Sequence, residues 1–198
     1  MIDLSTIGPD AASAVATTLR AYGIDYCDGP VSGGAADARA GTISLMFGGP
    51  IAVLGEHRSL LGAFTGNVFY VGERAGQGQA MKLANNYLSA TALAATSAAI
   101  AFGMAHGLDM TTMVDVINVS TGRNSASADK FPNRIMSGTY DAGFSTSHMT
   151  KDVGLFVDGA QAIGTAHGVA GAVSDTWRAA DEAMPGSDFT EIWKHVAH

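Results

Sequence analysis

Lys82 is the only Lys, Arg, Asp or Glu between Arg74 and Asp109, and it stands among small and apolar residues. Helical spacing puts Asn86, four positions on, on the same face. Asn85, three positions on, also leans that way, so spacing alone does not choose between them. Desolvation disfavours the ammonium form of a lysine in such surroundings, and the positive end of a helix N-terminus pushes in the same direction. A lysine so placed suits proton transfer near neutral pH. The alternative is a lysine that runs its stem along apolar surface to water, with Asn86 capping a neighbouring loop.

A second constellation, Asp28-Gly29-Pro30-Val31-Ser32-Gly33-Gly34, follows an expected strand. Ligands of α/β sheets bind beyond the carboxyl ends of strands. Ser32 offers a hydroxyl, and Gly33 and Gly34 let backbone N–H groups approach an anion, with a carboxylate as the natural guest. A plain turn has the same composition. Ser5-Thr6 also follows a strand, and either touches a cofactor or caps the helix behind it. Lys151-Asp152 falls on a helix, where adjacent residues do not face each other, so a solvated surface pair is expected rather than a local ion pair.

Other chemistries are excluded. The histidines are scattered, with neither HExxH spacing nor cysteine partners, so no metal site is expected. Cys27 sits in an expected buried strand without a designated histidine, and no GxSxG surrounds Ser32. Neither GxGxxG nor a Walker A sequence is present. A net charge of −7 argues against nucleic acid and anionic membrane as partners. Met1–Ser5 does not read as a signal peptide. The uncharged run around Lys82 is filled with alanine and polar residues, which reads as a buried helix rather than a membrane span. A single cysteine excludes an internal disulfide and fits a reducing cytoplasm.

The elements that must position these residues divide near Gly72. Before it, Ile2–Leu4, Ile24–Cys27, Ile43–Phe47 and Val68–Val71 read as strands. Pro9–Tyr22 reads as a helix stopped by Gly23, with another within Ile51–Phe64. This alternation implies βα units in a partly parallel sheet. After Gly72 the pattern is helical throughout. A long helix runs from Gly76–Gln79 to about His106, with Gly107 as its stop. Asp109 caps Met110–Val119. Further helices are expected near Ser125–Met136, at Ser147–Ile163 behind Ser145 or Thr146, at Val169–Ala183, and at Phe189–Ala197 behind Ser187 or Asp188. The expected fold class is therefore α/β then all-α, with domains 1–74 and 75–198. With only 15% charged residues, much of the surface is expected to be buried against another chain.

Taken in order, Asp3-Leu4-Ser5-Thr6 with Pro9, Asp28 to Gly34, Gly41-Thr42 through Gly48-Gly49, Gly76 to Asn86, and Lys151-Asp152 resemble successive motifs of the β-hydroxyacid dehydrogenases. The resemblance spans essentially the whole chain. It implies a Rossmann-type dinucleotide-binding sheet followed by a 6-phosphogluconate-dehydrogenase-like helical domain. It also implies hydride transfer between NAD or NADP and a small 3-hydroxy acid or semialdehyde. By resemblance, Lys82 is the catalytic general acid/base, and Asn86 holds the substrate beside it. Ser32, Gly33 and Gly34 cradle its carboxylate, while Phe144 and Asp152 line its pocket. Thr6 lies near the nicotinamide, and Lys151 reaches the cofactor. The helical domain of the family forms homodimers or homotetramers. Family members also begin with a glycine-fingerprint unit, whereas Met1 falls where a later strand of their sheet begins. The chain is thus expected to hold the C-terminal remnant of that sheet, without the phosphate-binding turn. With that turn missing, loss of activity in this chain alone is one expectation, and two other functions are open: a non-catalytic oligomerisation module, and a remnant that binds carboxylates without turnover.

Overall fold

The computed structural model describes residues 1–165 and 167–197. Two compact units are present, Met1–Asn85 with Asp158–Ala166, and Asn86–Val157 with His167–His198. Among the described residues every strand falls in the first, and the second is helical apart from one isolated bridge between Ser145 and Asp188. The α/β-then-all-α order is as the sequence implies.

In the first unit, β1 (Ile2–Asp3) pairs parallel with β2 (Cys27–Asp28), and β4 (Ile43–Gly48) pairs parallel with β5 (Thr65–Gly72). Both β2 and β3 (Val31–Ser32) run antiparallel to β4. They are two pieces of one line. Pro30 has no N–H to offer, so the ladder breaks there, although its carbonyl still accepts from Met46 N–H at 3.0 Å. Two expectations need correction. The strand placed at Ile24–Cys27 begins only at Cys27, because Ile24 is exposed and the register pairs Ile2 with Cys27. Val31–Ser32, read as loop, is a strand, with Ser32 opposite Ser44. The helices are α1 (Pro9–Arg20), the unanticipated α2 (Ala35–Ala40) and α3 (Ile51–Gly62). Leu45 and Phe47 of β4 form the core with Cys27, Leu54 and Leu61. Five of the six β4 residues are buried, as a central strand requires.

Helix α4 (Gln77–Ala105) buries Gln79, Leu83, Asn86, Ala90, Leu93, Ser97 and Ile100, spaced alternately four and three residues apart, with Lys82 beside Leu83. By length and hydropathy alone this helix could cross a bilayer. Its buried stripe, however, carries Gln79, Lys82, Asn86, Thr96 and Ser97, the reverse of a lipid-facing surface. Gly107 ends it at φ 84°, a left-handed conformation that costs other residues more.

In the second unit, Asp109 accepts from Thr112 N–H at 2.9 Å and opens α5 (Met110–Asn118). The helix expected near Ser125–Met136 is a π-helical segment, Ala126–Ile135. Pro132 lies inside it and cannot donate, and the wider turn is closed by Met136 N–H to Phe131 C=O at 2.9 Å. Ser145 caps α6 (Thr146–Ala162) by accepting from His148 N–H. Next come α7 (Gly168–Ala183), a single 3-10 turn capped by Asp188, and α8 (Ile192–Val196). Trp177 is wholly buried at the centre of this core, stacks on Phe189, and donates its indole N–H to Ala90 C=O at 3.3 Å.

Candidate active site

The site elements of the first unit are built around Asp28, a wholly buried carboxylate. One oxygen accepts from Gly76 N–H and the other from Gln79 N–H, each at 2.7 Å. These are donors that the first turn of a helix leaves without intrahelical partners. Gly78 makes the approach possible: a Cβ there would lie 2.4 Å from Met46 O and 2.7 Å from Asp28 Oδ2. Burial pushes the Asp28 carboxyl above the usual range, against the opposite pull of the Gly76, Gln79 and Gly78 backbone groups. The helix start that Gly76-Gln77-Gly78 superficially offers to a phosphate is therefore filled by the protein's own carboxylate.

Gln79, also wholly buried, extends this join to the loop behind β1. Its Oε1 accepts from Ile7 N–H at 3.0 Å and Gly8 N–H at 3.2 Å, and its Nε2 donates to Ser5 C=O at 2.8 Å. Two backbone donors on one end and a carbonyl on the other fix the amide orientation. The residue enclosed by these contacts is Thr6, half-buried. Ser5 does not cap α1, because its N–H and hydroxyl both turn back to Asp3 Oδ1. Gly8 is the N-cap of α1, which has no side-chain cap.

Lys82 follows Gln79 by three residues and is 8% exposed. The choice between the two asparagines resolves into two different jobs. Asn85 donates to Ser32 Oγ at 3.3 Å, whereas Asn86 donates to Asp152 Oδ2 at 2.6 Å. Gly33 has φ 137°, and Gly34 caps α2, with its N–H held by Asp37 Oδ2 at 3.0 Å. Of the amides expected in the cradle, that of Gly34 serves a carboxylate of the chain itself. The cause is local, since a helix that starts at Ala35 needs an acceptor and Asp37 stands in its first turn.

In the second unit, Asp152 is 2% exposed, with its other oxygen 3.0 Å from Lys151 Nζ. The expectation that these neighbours would not form an ion pair is wrong. Their backbone positions diverge around the helix, but the four-carbon stem of the lysine folds back across that angle. Asn86, Asp152 and Lys151 thus form a continuous polar chain. Phe144, in the same unit, packs edge-on against Phe189 with ring centroids 5.9 Å apart, and near His148. Among the described residues no group of three or more His, Cys, Asp or Glu side chains could hold a metal ion.

The sequence motifs include both Asp28 and Gln79, but gave neither a task. A glutamine three residues before the candidate lysine, hence on the same helical face, was the available signal.

Two family models match the chain in sequence. Residues 1–72 match the NAD binding domain of 6-phosphogluconate dehydrogenase, and residues 76–196 match the NAD-binding region of NADP-dependent 3-hydroxyisobutyrate dehydrogenase. The 3-hydroxyisobutyrate dehydrogenase of Pseudomonas aeruginosa is 35% identical over 98% of this chain, which spans 68% of that protein. The NAD-dependent L-serine dehydrogenase of the same organism is 36% identical over 82% of the chain, which spans 56% of its length. In structure, the 3-hydroxyisobutyrate dehydrogenase of Mycobacterium tuberculosis, solved with L-serine, has a TM-score of 0.90 at 30% identity, covering 98% of this chain and 69% of that one. These matches agree with a Rossmann-type sheet followed by a 6-phosphogluconate-dehydrogenase-like helical region. The chain belongs to the β-hydroxyacid dehydrogenase family.

Proposed function

We propose that the protein is an NAD(P)-dependent oxidoreductase of small 3-hydroxy acids and their semialdehydes, with Lys82 as general acid/base. The observation that carries this reading is a buried lysine on the second turn of a helix whose start is locked by Asp28 and Gln79. Family membership and the relatives named above support it. In the oxidative direction, neutral Lys82 Nζ accepts the hydroxyl proton of the substrate as its carbon–oxygen bond becomes a carbonyl. In reduction the ammonium returns that proton to the oxygen. The bound nicotinamide supplies the hydride or takes it up.

Asn86 is the substrate-holding amide one helical turn beyond Lys82, and Asp152 fixes its orientation. Ser32, braced by Asn85, and the glycines Gly33 and Gly34 receive the substrate carboxylate; for Gly34 the incoming carboxylate takes over the N–H now bound to Asp37. Phe144 and Asp152 line the substrate side. The residues present fit the nicotinamide end of the dinucleotide, with Thr6 on its tied loop and Lys151 half-exposed on α6. The amides at the start of α4 do not fit a diphosphate, because Asp28 occupies them.

Residues 1–74 form the Rossmann-type part and residues 75–198 the substrate and assembly part in this reading. The helical part pairs with a second copy of the chain as a homodimer or homotetramer, a reading supported by the exposed Leu88, Phe102, Val116 and Val119. A cytoplasmic location is consistent with the single free Cys27.

The test is absorbance of the reduced nicotinamide with a panel including 3-hydroxyisobutyrate and L-serine, using NAD and NADP in turn. Turnover of at least one 3-hydroxy acid, and not of its decarboxylated alcohol, is expected. Absence of turnover across the panel contradicts the reading.

A further inference from the structure

We infer that Gln79 is a positioning residue for this reaction: its amide ties the loop that carries Thr6 to the helix turn that precedes Lys82. The inference rests on the functional reading above and goes beyond it. Gln79 bonds the backbone on both sides of Thr6, at Ser5 C=O and at Ile7 and Gly8 N–H. Its own N–H is anchored to Asp28 at 2.7 Å, and Asp28 in turn is part of the sheet through β2. Loop, helix turn and sheet end therefore meet on one wholly buried residue, the loop through its side chain and the sheet end through its backbone N–H.

Capping of α1 does not account for this arrangement. Its N-cap, Gly8, offers no side-chain acceptor to the first turn. Gln79 does not serve that turn either: it accepts from Ile7 and Gly8, the two amides that precede it, from a helix more than 70 residues away in sequence. That choice couples the position of Thr6, assigned to the nicotinamide side, to that of Lys82, assigned to proton transfer. Hydride and proton transfers need both groups in register, and misplacement by about 1 Å costs roughly 10²-fold.

The experiment is a kinetic double-mutant cycle of Gln79→Met and Thr6→Ala in the whole protein, with amide hydrogen exchange as a readout independent of turnover. Gln79→Met keeps the length of the side chain and removes its three hydrogen bonds. It is expected to lower kcat about 10- to 100-fold while leaving the substrate KM within about threefold. In the Thr6→Ala background the same change should cost far less, and the Ile7 and Gly8 amides should exchange about tenfold faster. If Gln79→Met does not fold, Gln79→Glu, which keeps the acceptor oxygens, takes its place in the cycle. No turnover by the wild-type protein overturns the functional reading and this role with it. Wild-type turnover with kcat unchanged by the Gln79 variant, additive effects in the cycle, or unchanged exchange at Ile7 and Gly8 overturns the positioning role alone.

Discussion

Along α4, the buried side chains of the first turns are Gln79, Lys82, Leu83 and Asn86, whereas those farther on are chiefly apolar, Ala90, Leu93 and Ile100, with only the small hydroxyls of Thr96 and Ser97 among them. Both stretches follow the same three- and four-residue steps, yet they contribute different things. Burying a side chain such as Leu93 stabilises by about 1.5–3 kcal/mol. A buried amide left without partners costs about 1–3 kcal/mol, so the bonds of Gln79 do little more than offset its own burial. The apolar stretch holds the fold together, and the polar stretch fixes positions. A helix can thus keep one hydrophobic period throughout while its two ends are selected for different purposes.

The comparison breaks most readily at the apolar end. Trp177→Ala removes the largest buried side chain of the core that α4 shares with α7 and leaves Ala90 C=O without its indole donor. A loss of about 3–5 kcal/mol is expected in urea unfolding, with kcat per folded molecule little changed. A kcat that falls in proportion would mean that the apolar end also sets the chemistry.

At the polar end, Asp28→Asn replaces one of two acceptor oxygens by a donor aimed at Gly76 or Gln79 N–H. The expected loss is about 1–3 kcal/mol, together with faster exchange of those amides. Unchanged stability would show that Asp28 does not anchor the helix start.

These two outcomes also mark what was legible in the sequence. Gly107, Asp109 and Ser145 act on residues within a few positions, and the sequence marked each as a helix boundary, Ser145 with Thr146 as its alternative. Asp28 acts on residues 48 and 51 positions away, and Gln79 on residues more than 70 positions away. No local pattern carries such partners. The strand Val31–Ser32 was hidden because two residues behind a proline look the same in a turn and in a broken ladder. The Lys151–Asp152 pair was misjudged because backbone geometry was applied to a side chain long enough to escape it. Lys82 stood out because charge is scarce around it, but its separation from the tasks of Asn85 and Asn86 needed the partners Ser32 and Asp152.

The smallest effect concerns pH. Burial pushes the Asp3 carboxyl up, but hydrogen bonds from the Ser5 hydroxyl and N–H and from Tyr26 outweigh it, and the net shift is below the ordinary 3.8. A depressed carboxyl contributes stability that is present above its unfolded value and is lost as pH falls through the folded one. The Tm difference between wild type and Asp3→Asn should therefore be steady from neutral pH to about pH 5 and shrink below about pH 4. A difference that grows on acidification would reverse the assignment.

The central claim, that the lysine of the polar end transfers the proton, is tested most directly by kcat for a 3-hydroxy acid in wild type and Lys82→Ala, each shown by thermal melting to be folded. A fall of about 10²–10⁴-fold, with partial recovery on adding a small primary amine, is the predicted result. A variant that turns over at the wild-type rate would contradict it.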